Sequence, residues 1–240
     1  MAIAKIDTLL FQGYNLATAL KSFSPSGQNE ELDATTLASG FRNYEAGFQT
    51  ADVDAQGFFA SDGTNLDKIH NILSAAYQAR TSGALTAFLQ AYAFSGDCVM
   101  LDGSIMSFVE PIEVNAVIMS NAKWRSNNGL WMGKGYISQS STATTITSSS
   151  IDNGAASTAG GLLHAHLDNN AATSVAVKIQ HSTDNSTWVD LVSVTTMVGA
   201  TYDSGSAVVA VGTTIRGYTR AVAVVSGGAV DLISVAFARK

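Results

Sequence analysis

Over much of this chain apolar and polar residues alternate with a period of two, in short runs. Asp52-Val53-Asp54-Ala55-Gln56-Gly57-Phe58-Phe59 opens as a charged/apolar alternation, the pattern of a strand with one wet face. Val175, Val177 and Ile179 alternate with Ala176, Lys178 and Gln180, and Trp188 to Val194 repeats the pattern. Residues 207–211, 219–225 and 230–237 extend it, with turns expected at Asp184-Asn185, Asp203-Ser204-Gly205 and Gly227-Gly228. Several short strands at this spacing predict a sandwich. Ile112-Glu113-Val114-Asn115-Ala116 reads as a further strand, and Asn127-Asn128-Gly129 as a hairpin-type turn between Trp124 and Trp131.

One stretch has a different period. Leu66, Ile69, Leu73, Ala76 and Tyr77 fall on one helical face, which predicts a helix over 65–80. Thr64 or Asn65 caps it, Asp67 sits in its first turn, and Gly83 follows as a stop. The expected fold is therefore mainly β. An N-terminal β-sandwich or barrel domain over 1–137 carries the one short helix. A Ser/Thr/Gly-rich linker covers 138–161, part of which can also be read as an exposed first strand. A C-terminal all-β, Ig-like or jelly-roll-like sandwich fills 162–240. The glycine-punctuated segment 21–63 has few apolar anchors, and its expected state in the free monomer is partly disordered, ordering on contact with another subunit.

Composition leaves two readings open, an ordinary β protein with a quiet surface and an assembling one. Of the 240 residues 46% are hydrophobic and only 13% charged, against about 25% charged in ordinary soluble chains. A surface so poor in charge costs little to desolvate against a neighbour. The net charge is −6, and residues 1–137 hold 8 Lys/Arg against 13 Asp/Glu, whereas residues 138–240 hold 5 against 6. No basic patch is present, so specific gripping of nucleic acid is excluded. A weakly acidic wall suits a protein past which DNA slides. The single Cys98 excludes an internal disulfide and a thiolate metal site. No secretory leader is read at the N-terminus, and no apolar run approaches the ~20 residues of a membrane span. The expected place of synthesis and use is a cytoplasm, or a particle assembled there.

Candidate chemistry is sparse. His164-x-His166 puts two imidazoles on one face of a strand, half of a metal site, with His181 the other histidine nearby and no spaced set of further ligands. His70 lies beside the helical stripe and reads as a packing or surface residue. Asp52 and Asp54 share a strand face, as a carboxylate pair, a solvated face, a lumen wall or a subunit contact would. No G-x-S-x-G, Walker A, Rossmann or H-E-x-x-H pattern occurs. Neither catalytic residues, cofactor nor metal are expected.

The run Leu32-Asp33-Ala34-Thr35-Thr36-Leu37-Ala38-Ser39-Gly40-Phe41-Arg42-Asn43-Tyr44-Glu45-Ala46-Gly47-Phe48 resembles a segment of siphophage tail tube proteins of the form (L/V)DATTFG…(S/R)xYxxGLKD. In that family a strand with an aromatic pair, a short helix and a late antiparallel section follow, and residues 53–59, 65–80 and 105–137 fit them. Asp152 to Gly161, Lys178 to Trp188 and Ser234 to Arg239 resemble the added C-terminal sandwich of many such proteins. The chain departs from the pattern at Phe48-Gln49-Thr50, where the family has Leu-Lys-Asp, so the cation expected in that loop is absent.

The resemblance implies a structural virion protein of the tail, assembled in the bacterial host cytoplasm. It implies hexameric rings stacked into a tube through which DNA is ejected, with the C-terminal sandwich outside. The tape measure, tail tip and terminator proteins would be its partners. Asp52 and Asp54 become candidate lumen or subunit-contact residues. Leu32, Asp33, Thr35, Thr36, Arg42 and Tyr44 become a candidate inter-ring loop. The alternatives are a carbohydrate-binding or adhesion module using Trp188 and Tyr218, or a capsid decoration protein.

Overall fold

A computed structural model describes residues 8–17, 19–36, 40–58, 66–89, 94–111, 118–142, 144–168, 171–197 and 202–240. In chain order the first elements are β1 (Thr8–Phe11), β2 (Tyr14–Asn15), β3 (Leu20–Asp33), β4 (Tyr44–Phe58) and α1 (Leu66–Ala79). Then come β5 (Ser82–Phe88), β6 (Asp97–Val109), β7 (Met119–Ser126), β8 (Trp131–Ser141), β9 (Thr145–Thr147) and β10 (Ile151–Asp152). The last are β11 (Gly161–Asp168), β12 (Ser174–Ser182), β13 (Val189–Met197), β14 (Asp203–Val209), β15 (Tyr218–Ser226) and β16 (Val230–Arg239). The chain is mainly β with one short helix among the described residues, as its patterning predicts. That helix is too short to cross a membrane.

The chain divides into two compact units, and the boundaries differ from the expected ones. One unit takes residues 1–18, 83–100 and 131–240; the other takes 19–82 and 101–130. In the first, β14, β11, β16 and β8 lie side by side, followed by the start of β6, then β5, β1 and β2. A second sheet runs β10-β15-β12-β13, with β9 on β15. Leu163, Ala165 and Leu167 of β11 and Ile233, Val235 and Phe237 of β16 meet Val175, Val177 and Ile179 of β12 and Ala221, Ala223 and Val225 of β15. This is one sandwich core built from alternate positions. The opposite face of the first sheet is covered too: Leu162 and Ala236 pack with Leu10, Phe88, Cys98, Met100 and Trp131. Coverage on both sides explains why β11 is buried from Gly161 to Leu167 without alternation.

Residues 138–161 are not a free linker. Ser138–Ser141 end β8, paired with β16, and β9 and β10 pair with β15. Ile137, Ile146 and Ile151 belong to the sandwich core. A polar run with an isolated isoleucine every few residues suffices for an outer strand, because Thr and Ser tolerate the extended backbone and one face stays wet.

The other unit is a sheet of β3, β4, β7 and the remainder of β6, with α1. Ala51, Val53 and Ala55 of β4 and Ala122 and Trp124 of β7 are buried, with outward residues between them. In α1, Leu73 and Ala76 are buried as the stripe predicts, Ile72 is buried as well, and Tyr77 is 41% exposed. Segment 21–63, expected to be partly disordered, holds two strands paired over almost their whole length.

Three turn expectations are corrected. The helix ends at Arg80 in the left-handed region (φ 54°), and Gly83 is a strand residue packed against Phe11. Asp203-Ser204-Gly205 begins β14, paired with β11; Gly205 is there because the Val194 side chain occupies the space of a β-carbon. Asn127-Asn128-Gly129 does turn, with Gly129 at φ 82°, but β7 and β8 do not pair with one another; each pairs with β6. Asp184-Asn185 and Gly227-Gly228 are turns as read. The strand expected at 112–116 lies outside the described residues.

Candidate functional site

β3 and β4 form the longest hairpin among the described residues, pairing from Leu20↔Gly57 through Pro25↔Val53 and Gly27↔Ala51 to Asp33↔Tyr44 with two register shifts. Its base joins the sheet through β4, whose residues pair with β7 from Asp52↔Arg125 to Phe58↔Met119. Beyond Ala51 the hairpin has no partner sheet among the described residues. All residues 26–33 and 44–50 are exposed except Gly47, which is half-buried, so the arm buries neither face. β3 is an edge strand with one open ladder, and Pro25 fits there because an edge position can do without one amide donor.

The tip is organised by its own side chains. The Thr35 N–H donates to Asp33 Oδ1 (2.9 Å), the Ala34 N–H to the Asn43 carbonyl (2.9 Å) and the Asn43 N–H to Thr35 Oγ1 (2.9 Å). Arg42 Nη1 donates to Tyr44 Oη at 3.3 Å. The hydrogen bonds from Thr35 hold the Asp33 carboxyl below its ordinary pKa. The structure thus brings Asp33, Thr35, Arg42 and Tyr44 into one loop, with Leu32 and Thr36 exposed beside them. It adds two residues that the sequence reading did not single out for contact. Phe41 is 90% and Phe48 85% exposed. Asn29 pairs with Gln49 and Glu31 with Ala46, so Gly47 and Phe48 together oppose Glu30 in a bulge, a device that re-aims a side chain out of the ladder. The signal was legible as Phe48 standing where the resembled pattern has leucine.

Asp52 and Asp54 lie on the outward face of β4. Arg125 grips Asp52 with Nε at 2.8 Å and Nη2 at 3.0 Å, and Lys123 Nζ is 3.3 Å from Asp52 and 4.0 Å from Asp54. The Arg125 hydrogen bonds, helped by Lys123, bring the Asp52 carboxyl down to about 2. A carboxylate held ionised this firmly is no proton donor near neutral pH. The face is a balanced ladder of two acids and two cations.

The two strand histidines are buried in the first unit, on the β11 face opposite the sandwich core. Thr86 Oγ1 is 2.9 Å from both His164 Nδ1 and His166 Nε2, and the Gly13 N–H points at His166 Nδ1 from 3.4 Å. With Nδ1 accepting, neutral His166 carries its proton on Nε2 and donates to Thr86, which in turn donates to His164. Burial lowers both imidazole pKa values, His166 to about 3. The pair is a packing device. Among the described residues no group of three or more His, Cys, Asp or Glu is placed to hold a metal ion. His70 Nδ1 lies 2.6 Å from Glu110 Oε1, tying α1 to the end of β6. On the second sheet, the Arg220 guanidinium covers the Trp188 ring at 4.2 Å, so one face of that ring is already occupied.

No protein-family model matches this chain, and no curated protein matches it at a significant level. Among solved structures it is similar to one of the virion of a native gene transfer agent particle, with 15% identity and a TM-score of 0.41, covering 52% of this chain and 95% of that one. It is similar to the SPP1 tail tube, at 12% identity and a TM-score of 0.45, over 56% of this chain and 80% of the other. It is also similar to the SPP1 Dit protein, at 12% identity and a TM-score of 0.40, over 96% and 97% of the two chains.

Proposed function

We propose that this chain is a structural, non-enzymatic subunit of the tail of a long-tailed phage, which polymerises as stacked hexameric rings into the tube through which DNA is ejected. The observation that carries the reading is the β3–β4 arm, paired over almost its whole length yet burying neither face. A chain of marginal stability retains such an arm where a partner covers it. The arm's tip is also the stretch that carries the sequence resemblance. Open strand edges fit the same role, because ring closure turns them into intersubunit ladders and stacking repeats the contact head to tail. In this reading the second sheet of the sandwich, β9, β10, β12, β13 and β15, faces the outside of the tube. The tape measure, tail tip and terminator proteins are the partners, and DNA passes without specific binding.

Negative-stain electron microscopy at rising protein concentration tests the reading. Rings or hollow tubes of uniform bore are expected. A chain that remains monomeric even with the other tail proteins present would overturn it. The Asp52/Asp54 face gives a second test. If it lines the bore, replacing both aspartates with lysine leaves four cations and no acid on the ladder. DNA would then stick through counterion release, and ejection from particles carrying the variant should slow. Unchanged ejection would remove that face from the lumen.

A further inference from the structure

We infer that the groove between the end of α1 and β6 receives Phe48 of a second copy of this chain. The inference rests on the assembly reading and names its contact. The groove has a volume of about 580 Å3 and is lined by Tyr77, Gln78 and Arg80 from the helix end and Ser104, Ile105 and Met106 from β6. That volume lies within the range of pockets that enclose small organic groups, so a phenyl ring fits. Two large apolar side chains stand at its mouth, Tyr77 at 41% and Met106 at 52% exposure. Met106 is itself a bulge residue: Ile105 pairs with Trp124 and Ser107 with Lys123, leaving it unopposed and turned out of the ladder. A thioether there adapts to an incoming ring and makes a favourable sulfur–aromatic contact.

The matching knob is on the same chain. Phe48 is 85% exposed and is presented by a bulge on a paired strand. It therefore loses less freedom on docking than Phe41, which sits in the loop. Charge supports the pairing. The arm around Phe48 carries Glu30, Glu31, Asp33 and Glu45 against Arg42, whereas Arg80 is the charged residue of the groove lining. An acidic arm approaching a cationic rim is steered, and the wrong register is penalised. Knob and groove are different surfaces of one chain, so the contact is heterologous and repeats head to tail.

Cysteine cross-linking reads this directly. The native Cys98 is buried, with its thiol pushed up to about 12 by desolvation, so it stays silent under mild oxidation. A double variant, Phe48→Cys with Met106→Cys, should give a ladder of covalent oligomers on a non-reducing gel, and each single variant should give none beyond a dimer. Phe48→Ser should raise the concentration needed for assembly by about thirtyfold, the size of a hot-spot truncation. Circular dichroism of each variant checks that the exposed substitutions leave the fold intact. Assembly without the ladder overturns the docking and leaves the tube reading standing. A ladder from chains that never form tubes supports the docking and overturns the tube. Neither ladder nor assembly, at concentrations about a hundredfold above the parent chain's threshold, which offset the loss of the Phe48 ring, overturns both.

Discussion

Excising residues 28–50 and joining Gly27 to Ala51 through an Asn-Gly turn should abolish assembly while leaving the monomer folded. Gly27 and Ala51 are register partners, so a two-residue turn closes the shortened hairpin without shifting the ladder. Of the described residues removed, all are exposed except Ala34 and Gly47, which are half-buried, whereas Ala51, Val53 and Ala55, which carry the β4 contribution to the core, are kept. Losing exposed residues costs little stability, and the melting temperature should move by no more than about 3 °C. Loss of the arm removes one half of the proposed head-to-tail contact entirely, so stacking into tubes should be lost outright. Electron micrographs and sedimentation velocity give the assembly state, and thermal circular dichroism the fold. Tubes formed by the shortened chain would show that the arm is not the contact. Unfolding of the shortened chain would show that the arm is part of the core after all.

Stability should fall steeply as the pH drops from 7.5 to 5, because of the histidines between β11 and β5. Burial holds His166 at about 3 in the folded protein and lowers His164 as well, whereas unfolded histidine titrates near 6.5. Below pH 6.5 the unfolded chain takes up protons that the folded chain refuses, so stability is full above that value and declines until the folded pKa is reached. At pH 5 His166 alone should cost about 2 kcal/mol. The geometry gives the same sign: a proton added to His166 Nδ1 would face the Gly13 N–H, donor against donor. His181 is lowered in the same direction by partial burial and by Arg216. Asp52 acts in a separate window. Its depressed pKa contributes stability above about 3.8 that is lost as the pH falls towards 2. Urea unfolding at pH 7.5, 6.5 and 5 isolates the histidines, and His166→Gln should flatten the slope. A pH-independent stability in the parent chain would mean that the folded protein accommodates the charged imidazole.

Local pattern determined much of this protein. Alternation of Val175, Val177 and Ile179 marked a strand and its inward residues, because a strand with one wet face writes its orientation into every second position. The helix was legible for the same reason, since Leu73 and Ala76 repeat at helical spacing and are buried. Tertiary structure alone decided what depends on partners distant in sequence. His164 and His166 looked like half a metal site, and only Thr86 and Gly13, supplied by β5 and the β1–β2 turn, make them a neutral packing pair. Asp52 and Asp54 showed in the sequence only as two acids on one strand face, and it is β7 that brings Lys123 and Arg125 alongside them. The two compact units interleave the chain at 18, 82, 100 and 130, and no composition shift marks those points. Strand pairing is a long-range choice, made by which edges find complementary faces, and a one-dimensional pattern carries the face of each strand but not the identity of its neighbour.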